Sequence, residues 1–208
     1  MYAAVEDVRA EGVTEDEASD ARVVAALLEA TEAIDRACGW FFEPRELGFA
    51  LSGRGSAVLE LPVPLLKLMT ARVGADDCVP EEFTAYEATV GTGGRIPKLV
   101  RQHGAFPRGI DNVWLYGRWG YTVPTEGFPE GKAPWAIRRA TLLLALRHLP
   151  QLASDESVAA RSHWRLVEER TRDQSYRLEA RGAGALTGDP DVDSLLLPYR
   201  RPCGLGAA

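Results

Sequence analysis

Apolar residues recur every three or four positions at both ends of this chain and at every second position in its middle, a change of period that predicts helices, then strands, then helices. Val5 and Val8 predict a short helix over about 3–11, ended by Gly12. Thr14-Glu-Asp-Glu17 has the S/T-x-x-E spacing of a capping box and predicts a second helix from about 15 to 38. Its apolar stripe reads Ala21, Val24, Ala25, Leu28, Thr31, Ile34 and Cys38, and Gly39 supplies the stop.

From about residue 46 the period becomes two. Leu47, Phe49 and Leu51 alternate up to Ser52-Gly-Arg-Gly-Ser56, and the apolar pattern resumes over 58–61, which predicts a hairpin turning on Gly53 and Gly55. Further strands are predicted over 65–73, 83–90, 96–102 and 112–122. Asp76-Asp77, Gly91-Thr-Gly-Gly94 and Phe106-Pro-Arg-Gly109 separate them as turns. The middle therefore reads as an antiparallel β region over about 46–122.

Helical spacing returns after Gly131. Pro134 suits a first turn, and Ile137, Ala140, Thr141, Leu142, Leu143 and Leu144 predict a core helix over about 134–149 that Pro150 ends. Ser154 or Asp155 can cap a further helix over about 155–178, with Val158, Ser162, Trp164 and Leu166 inward. The short connection predicts an antiparallel helical hairpin. Beyond the glycine-rich stretch 181–188, Asp189 reads as an N-cap, Pro190 as the first helical residue, and Val192, Leu195 and Leu196 as one face of a two-turn helix over about 190–197. So short a helix is unstable alone and must dock to form.

Composition adds limits. An apolar fraction of 46% with 26% charged residues can bury a sizeable core. No apolar run approaches the roughly 20 residues that cross a bilayer, and MYAAVEDVRAEG lacks the order of a signal peptide, so a cytoplasmic origin is expected. Cys38, Cys78 and Cys203 form no C-x-x-C pair, which argues against a disulfide framework or a thiolate metal site. The net charge of -6 is uneven: residues 1–35 hold ten acids against Arg9 and Arg22, while 132–181 hold ten bases against six acids. The acidic surface argues against tight nonspecific DNA binding.

Searches for chemistry fail one after another. Gly91-Thr-Gly-Gly94 has neither the following helix nor the Lys-Ser/Thr of a phosphate loop. His103, His148 and His163 lack partners at helical metal-site spacing. Asp189, Asp191 and Asp193 open like a calcium loop, but Ser194 stands where glycine is needed and Arg200 where a bidentate glutamate is needed. Neither a catalytic nor a metal nor a cofactor site is expected, and an enzyme would need a convergent polar pocket that the sequence does not advertise. Trp114, Trp119 and Tyr121 could stack bases, but strand alternation favours packing in a core or between subunits; Trp40 and Trp135 are expected in the core.

Three stretches together resemble the head-tail connector (adaptor, or head-completion) proteins of long-tailed bacteriophages and phage-derived particles. They are Asn112-Val-Trp-Leu-Tyr-Gly-Arg-Trp-Gly-Tyr121, the helix opening Pro134-Trp-Ala-Ile-Arg-Arg-Ala140, and Glu168-Glu-Arg-Thr-Arg-Asp-Gln-Ser-Tyr176. With the N-terminal helix ending in Cys38-Gly39-Trp40, the resemblance spans about 3–199; residues 62–111 and the C-terminal arm depart from the family pattern.

The resemblance implies an α+β fold: a small helical bundle, made of the N-terminal helix and the C-terminal helical hairpin, with an antiparallel β insertion. It implies a single connector domain over 1–181 and an arm over 182–208. It further implies a non-enzymatic virion protein at the head-tail neck, assembled in the host cytoplasm as a homo-oligomeric ring, commonly of twelve. Such a ring lies between the portal protein and a tail-side neck or tail-terminator protein and lets double-stranded DNA pass without reading its sequence. Leu195, Leu196, Tyr199, Arg200 and Arg201 would touch the portal; Arg138, Arg139 and Tyr176 would lie at the subunit interface, where the acidic N-terminal region can meet the basic hairpin. The competing reading is a sequence-tolerant nucleic-acid-binding module built on that hairpin with Trp164 and Tyr176.

Overall fold

The computed structural model describes residues 1–86, 96–149, 168–170, 175–177 and 186–201. The chain forms two compact units. One joins Met1–Cys38 to Trp135–Leu197, the other Gly39–Pro134 to Pro198–Ala208. The chain leaves the helical unit at Gly39, re-enters it after Pro134 and leaves it again at Pro198.

The helical unit contains α1 (Val5–Ala10), α2 (Asp20–Cys38), α3 (Trp135–His148) and α4 (Pro190–Leu196). Helix α3 packs against α2, and α4 packs on both. One half of the predicted Thr14–Glu17 capping box is present, with Glu17 accepting from the Thr14 backbone N–H at 2.8 Å and from its hydroxyl at 3.1 Å, but it closes a separate turn and α2 begins only at Asp20. Helix α2 buries Val23, Ala26, Leu27, Ala30, Thr31, Ile34 and Cys38. Ala21, Ala25 and Leu28 of the predicted stripe are therefore outside. Two overlapping stripes of similar bulk share Thr31, Ile34 and Cys38, and packing against α3 selects the one containing Val23 and Leu27. Full burial of such side chains stabilises by about 1.5–3 kcal/mol each.

Helix α3 buries Ile137, Ala140, Thr141, Leu142, Leu144 and Ala145, as its spacing predicts. Trp135, expected in the core, is 72% exposed at the helix start. The helix predicted over 155–178 is not what the described residues show: β10 (Glu168–Arg170) pairs antiparallel with β11 (Ser175–Arg177). Residues 168–170 and 175–177 carry no 3.6-residue apolar repeat to anchor a helix, and Tyr176 favours extended backbone. The predicted capping residues and the inward Val158, Ser162, Trp164 and Leu166 lie outside the described residues, as does Gly91-Thr-Gly-Gly94.

The second unit is β-rich and larger than the predicted insertion. Strands β1 (Arg45–Leu51), β3 (Leu65–Val73), β4 (Asp76–Cys78) and β7 (Val113–Trp119) form an antiparallel sheet in the order β1-β7-β3-β4. A three-stranded sheet has β6 (Lys98–Arg101) between β2 (Val58–Glu60) and β5 (Phe83–Tyr86). A ribbon of β8 (Val123–Thr125) and β9 (Phe128–Lys132) extends the β region past residue 122. Asp76 and Asp77, predicted as a turn, begin β4 instead; the turn is one step earlier, at Gly74.

The predicted hairpin at Gly53 and Gly55 does not form, since β1 pairs with β7 and β2 with β6. The glycines serve a close approach between two loops. The Gly55 N–H donates to the Phe106 carbonyl at 2.8 Å, and the Phe106 N–H to the Ser56 carbonyl at 2.9 Å. A Cβ on Gly53 would lie 2.1 Å from the Pro107 carbonyl oxygen, so no other residue fits without moving backbone.

Candidate interaction surfaces

In the helical unit, charge is used to hold the fold. Arg138 pairs with Asp7 at 3.4 Å and Arg139 with Glu11 at 2.5 Å, so the acidic N-terminal segment and the basic helix meet within one chain. Arg9 donates to the carbonyls of Val13, Thr14 and Ala18 and to Asp20, which pins the connection between α1 and α2. His148 Nδ1 lies 3.5 Å from Glu29.

The C-terminal helix is capped as its sequence predicts. Asp189 Oδ1 accepts from the Asp191 N–H at 3.0 Å and the Val192 N–H at 3.4 Å, Pro190 opens the helix, and Asp189 Oδ2 faces the Arg147 guanidinium. Asp189 is only 2% exposed, so its charge is matched inside the unit. Asp193 accepts from the Leu186 and Thr187 N–H groups and the Thr187 hydroxyl, fastening the end of the glycine-rich stretch. All three aspartates are thus engaged by N–H groups, a hydroxyl or arginine. Among the described residues no group of three His, Cys, Asp or Glu could hold a metal ion.

The arm residues divide by burial. Leu196 is fully buried and Val192 with it, so α4 belongs to the core of its own helical unit. Leu195 is half-buried. Tyr199 sits in the β unit: its carbonyl accepts from the Trp40 indole N–H at 2.7 Å, and its ring meets Phe42 and Tyr121 edge-on. Arg200 and Arg201 are exposed, as is Leu197 at 60%. Tyr176 lies in β11.

Burial along β7 alternates strictly, and this sorts its aromatics. Trp119 is fully buried, with its indole N–H donating to the Leu47 carbonyl at 2.9 Å, and Tyr121 is buried beside Trp40. Trp114 and Tyr116 have the opposite parity and stack outside, 5.9 Å apart and nearly parallel. Gly48 on β1 lies beneath the Trp114 ring; a Cβ there would come within 3.3 Å of it. The Tyr116 hydroxyl donates to Glu46, and this bond to a carboxylate raises the phenol above the ordinary tyrosine value. Arg118 pairs with Glu130, which strengthens its hold on its proton.

At one end of the β unit the 52–56 and 106–112 loops lock together. The Asn112 side chain accepts from the Gly53 N–H at 2.8 Å and donates to the Pro107 carbonyl at 2.8 Å, and the Asp111 N–H donates to the Ser52 hydroxyl. Asp111 is held at φ 50°, the one described non-glycine residue in the left-handed region. Ile110, beside it, is 89% exposed. A groove of about 500 Å³ opens nearby, lined by Leu51, Arg54, Leu59, Glu60, Lys98 and Arg201 among others.

A solved structure shares this fold. It is a chain from the neck of an empty GTA particle computed with C6 symmetry, with a TM-score of 0.54 over 97% of this chain and 91% of that one, at 18% identity. No protein-family model matches the sequence, and no curated protein does. At this identity the likeness establishes fold, which is α+β with prominent antiparallel sheets.

Sequence reasoning missed two features of this surface. Tyr116 was readable, because two positions from Trp114 in a strand places both rings on one face and Trp119 on the other. The Ile110 loop was not, because its exposure depends on hydrogen bonds to residues more than fifty positions earlier. Among the described residues no helix is long and apolar enough to cross a membrane.

Proposed function

We propose that this chain is a structural, non-enzymatic neck protein of a phage-like particle, forming a ring that joins head to tail and prolongs the DNA channel. The observation that carries this reading is the fold shared with a particle-neck chain over nearly the whole length. The order of the aromatic strand, the long apolar helix and the polar C-terminal segment supports it independently. In this reading the ring has twelve copies, contacts the portal on one side and a tail-side neck or tail-terminator protein on the other, and passes double-stranded DNA without reading it. The protein assembles in the host cytoplasm and ends in the virion neck.

The portal contacts belong to Leu195, Leu196, Tyr199, Arg200 and Arg201, with the exposed arginines and Leu197 as the reaching side chains and buried Leu196 and half-buried Tyr199 as their anchors. Arginine and aromatic side chains concentrate interface energy, and many weak arms presented together bind through avidity. Arg138, Arg139 and Tyr176 are the proposed subunit contacts, with both arginines already tied to α1 of their own chain.

Particles produced without this chain test the reading. The expected result is DNA-filled heads that lack tails; normally tailed, DNA-delivering particles would overturn it. Arg200→Glu with Arg201→Glu tests the arm without touching the core, and undiminished seating on the portal would remove that part.

A further inference from the structure

The groove of about 500 Å³ in the β unit combines apolar lining with positive charge. Leu51, Val58, Leu59 and Pro62 supply the first; Arg54, Lys98 and Arg201, all exposed, supply the second. Glu60 is the one acid among the lining residues, and it stands opposite Lys98 in the register of β2 with β6. Arg54 and Arg201 are thus left as excess positive charge, and neither pairs with a carboxylate among the described residues. Cations without a local counter-ion, in a recess with apolar walls, suit a ligand that brings carboxylates and apolar groups together.

Strand β2, which lines this groove, is also an open sheet edge. It pairs with β6 on one side and with no described strand on the other. The Ala57 carbonyl accepts from the Arg101 N–H and the Leu61 N–H donates to the Pro97 carbonyl, both at 2.9 Å, so the odd-numbered residues face β6. The backbone groups of Val58 and Glu60 therefore point the other way. The Ser56 hydroxyl meets the Val58 N–H at 3.1 Å, while the Val58 carbonyl and both backbone groups of Glu60 have no partner among the described residues. Such an edge takes an added strand: main-chain bonds give affinity, and alternate side chains reach the pockets beside it. Duplex DNA would meet the cations with its phosphates but offers nothing to the apolar lining or the edge. An extended peptide with carboxylates between apolar side chains satisfies all three.

We propose that the groove beside Val58–Glu60 binds an extended, acidic and apolar strand of the portal protein, which adds to the edge of β2 and sets its carboxylates against Arg54 and Arg201. The portal is the source because Arg201, which lines the groove, belongs to the arm assigned above to that partner, so the two contacts are continuous. The proposal rests on the neck reading and adds the chemistry of the partner segment.

The probe is a fluorescent, end-blocked peptide of alternating valine and glutamate, titrated by anisotropy into the full chain. It should bind, and a photo-crosslinking version should mark residues 51–62. The same peptide with lysine for glutamate loses the carboxylates, and one methylated on every amide nitrogen loses the edge bonds; each should bind at least tenfold more weakly. Arg54→Glu with Lys98→Glu should weaken the acidic peptide at least tenfold and reduce seating of the full chain on portals. Both side chains are exposed, so circular dichroism and melting of this variant should match the unaltered chain. Equal binding of the three peptides, or binding of none, would overturn the site. A short DNA duplex that displaces the acidic peptide and outbinds it would make this a phosphate site instead. A variant that loses the peptide yet seats normally on portals would overturn the portal as the source, and a change in self-association alone would assign the groove to a second copy. Each of these results leaves the neck reading standing; an unaltered chain that never seats on portals would overturn both.

Discussion

The two units fasten distant parts of the chain by different means. In the helical unit Arg9, Arg138, Arg139 and Arg147 all face carboxylates of the same unit, and the pairs tie α1 to α3 and α4 to α3. In the β unit Arg45, Arg72, Arg101 and Arg118 are also paired, but the 52–56 and 106–112 loops are joined by the Asn112 side chain and by backbone bonds between Gly55, Ser56 and Phe106. Ion pairs between helices fasten the first unit. In the second, amide and backbone bonds fasten the loop that carries exposed Ile110.

The sharpest way to break this comparison is to remove what each unit is built on. Trp119→Ala in the β unit should cost about 3–5 kcal/mol, because it empties a fully buried site and orphans the Leu47 carbonyl; denaturant titration measures it. Asp189→Ala in the helical unit should cost about 1–2 kcal/mol by removing a cap and leaving Arg147 facing an apolar group, and Asp189→Asn should recover part of it. Reversing Arg138 and Arg139 to Glu should lower stability modestly, by no more than about 1 kcal/mol per half-exposed pair, read as a small fall in melting temperature that shrinks as salt rises. Loss of ring formation in a variant that still melts as the unaltered chain does would mark those arginines as subunit contacts.

The smallest effect is a titration. Tyr116 should ionise above an ordinary tyrosine in ultraviolet absorbance, and Glu46→Gln should bring it down. The sign follows from the hydrogen bond: with the folded value raised, the bond is intact below the ordinary phenol range and is lost as pH climbs through the raised value.

Much of this architecture was legible in the chain. The 65–73 strand, the 135–148 helix and the Asp189 cap are where spacing and cap chemistry put them, because each is decided by residues close in sequence. Tertiary competition decided the rest. Helix α2 carries two stripes, and only packing against α3 chooses between them. Gly53 and Gly55 look like a hairpin turn, yet they make room for a loop over fifty residues away. Trp135 looks like core, yet at the first position of α3 it points outside. At the interaction surface, the arm helix was readable and so was the exposed aromatic pair; the Ile110 loop was not, since no local pattern announces a loop that Asn112 ties to Gly53, far earlier in the chain.

The most direct measurement is electron microscopy of the purified full-length chain, alone and mixed with its portal. The account predicts a closed, rotationally symmetric ring with a central opening wide enough for duplex DNA, seated coaxially on the portal. Isolated monomers, open filaments or a closed dimer, with no density added to the portal, would contradict it.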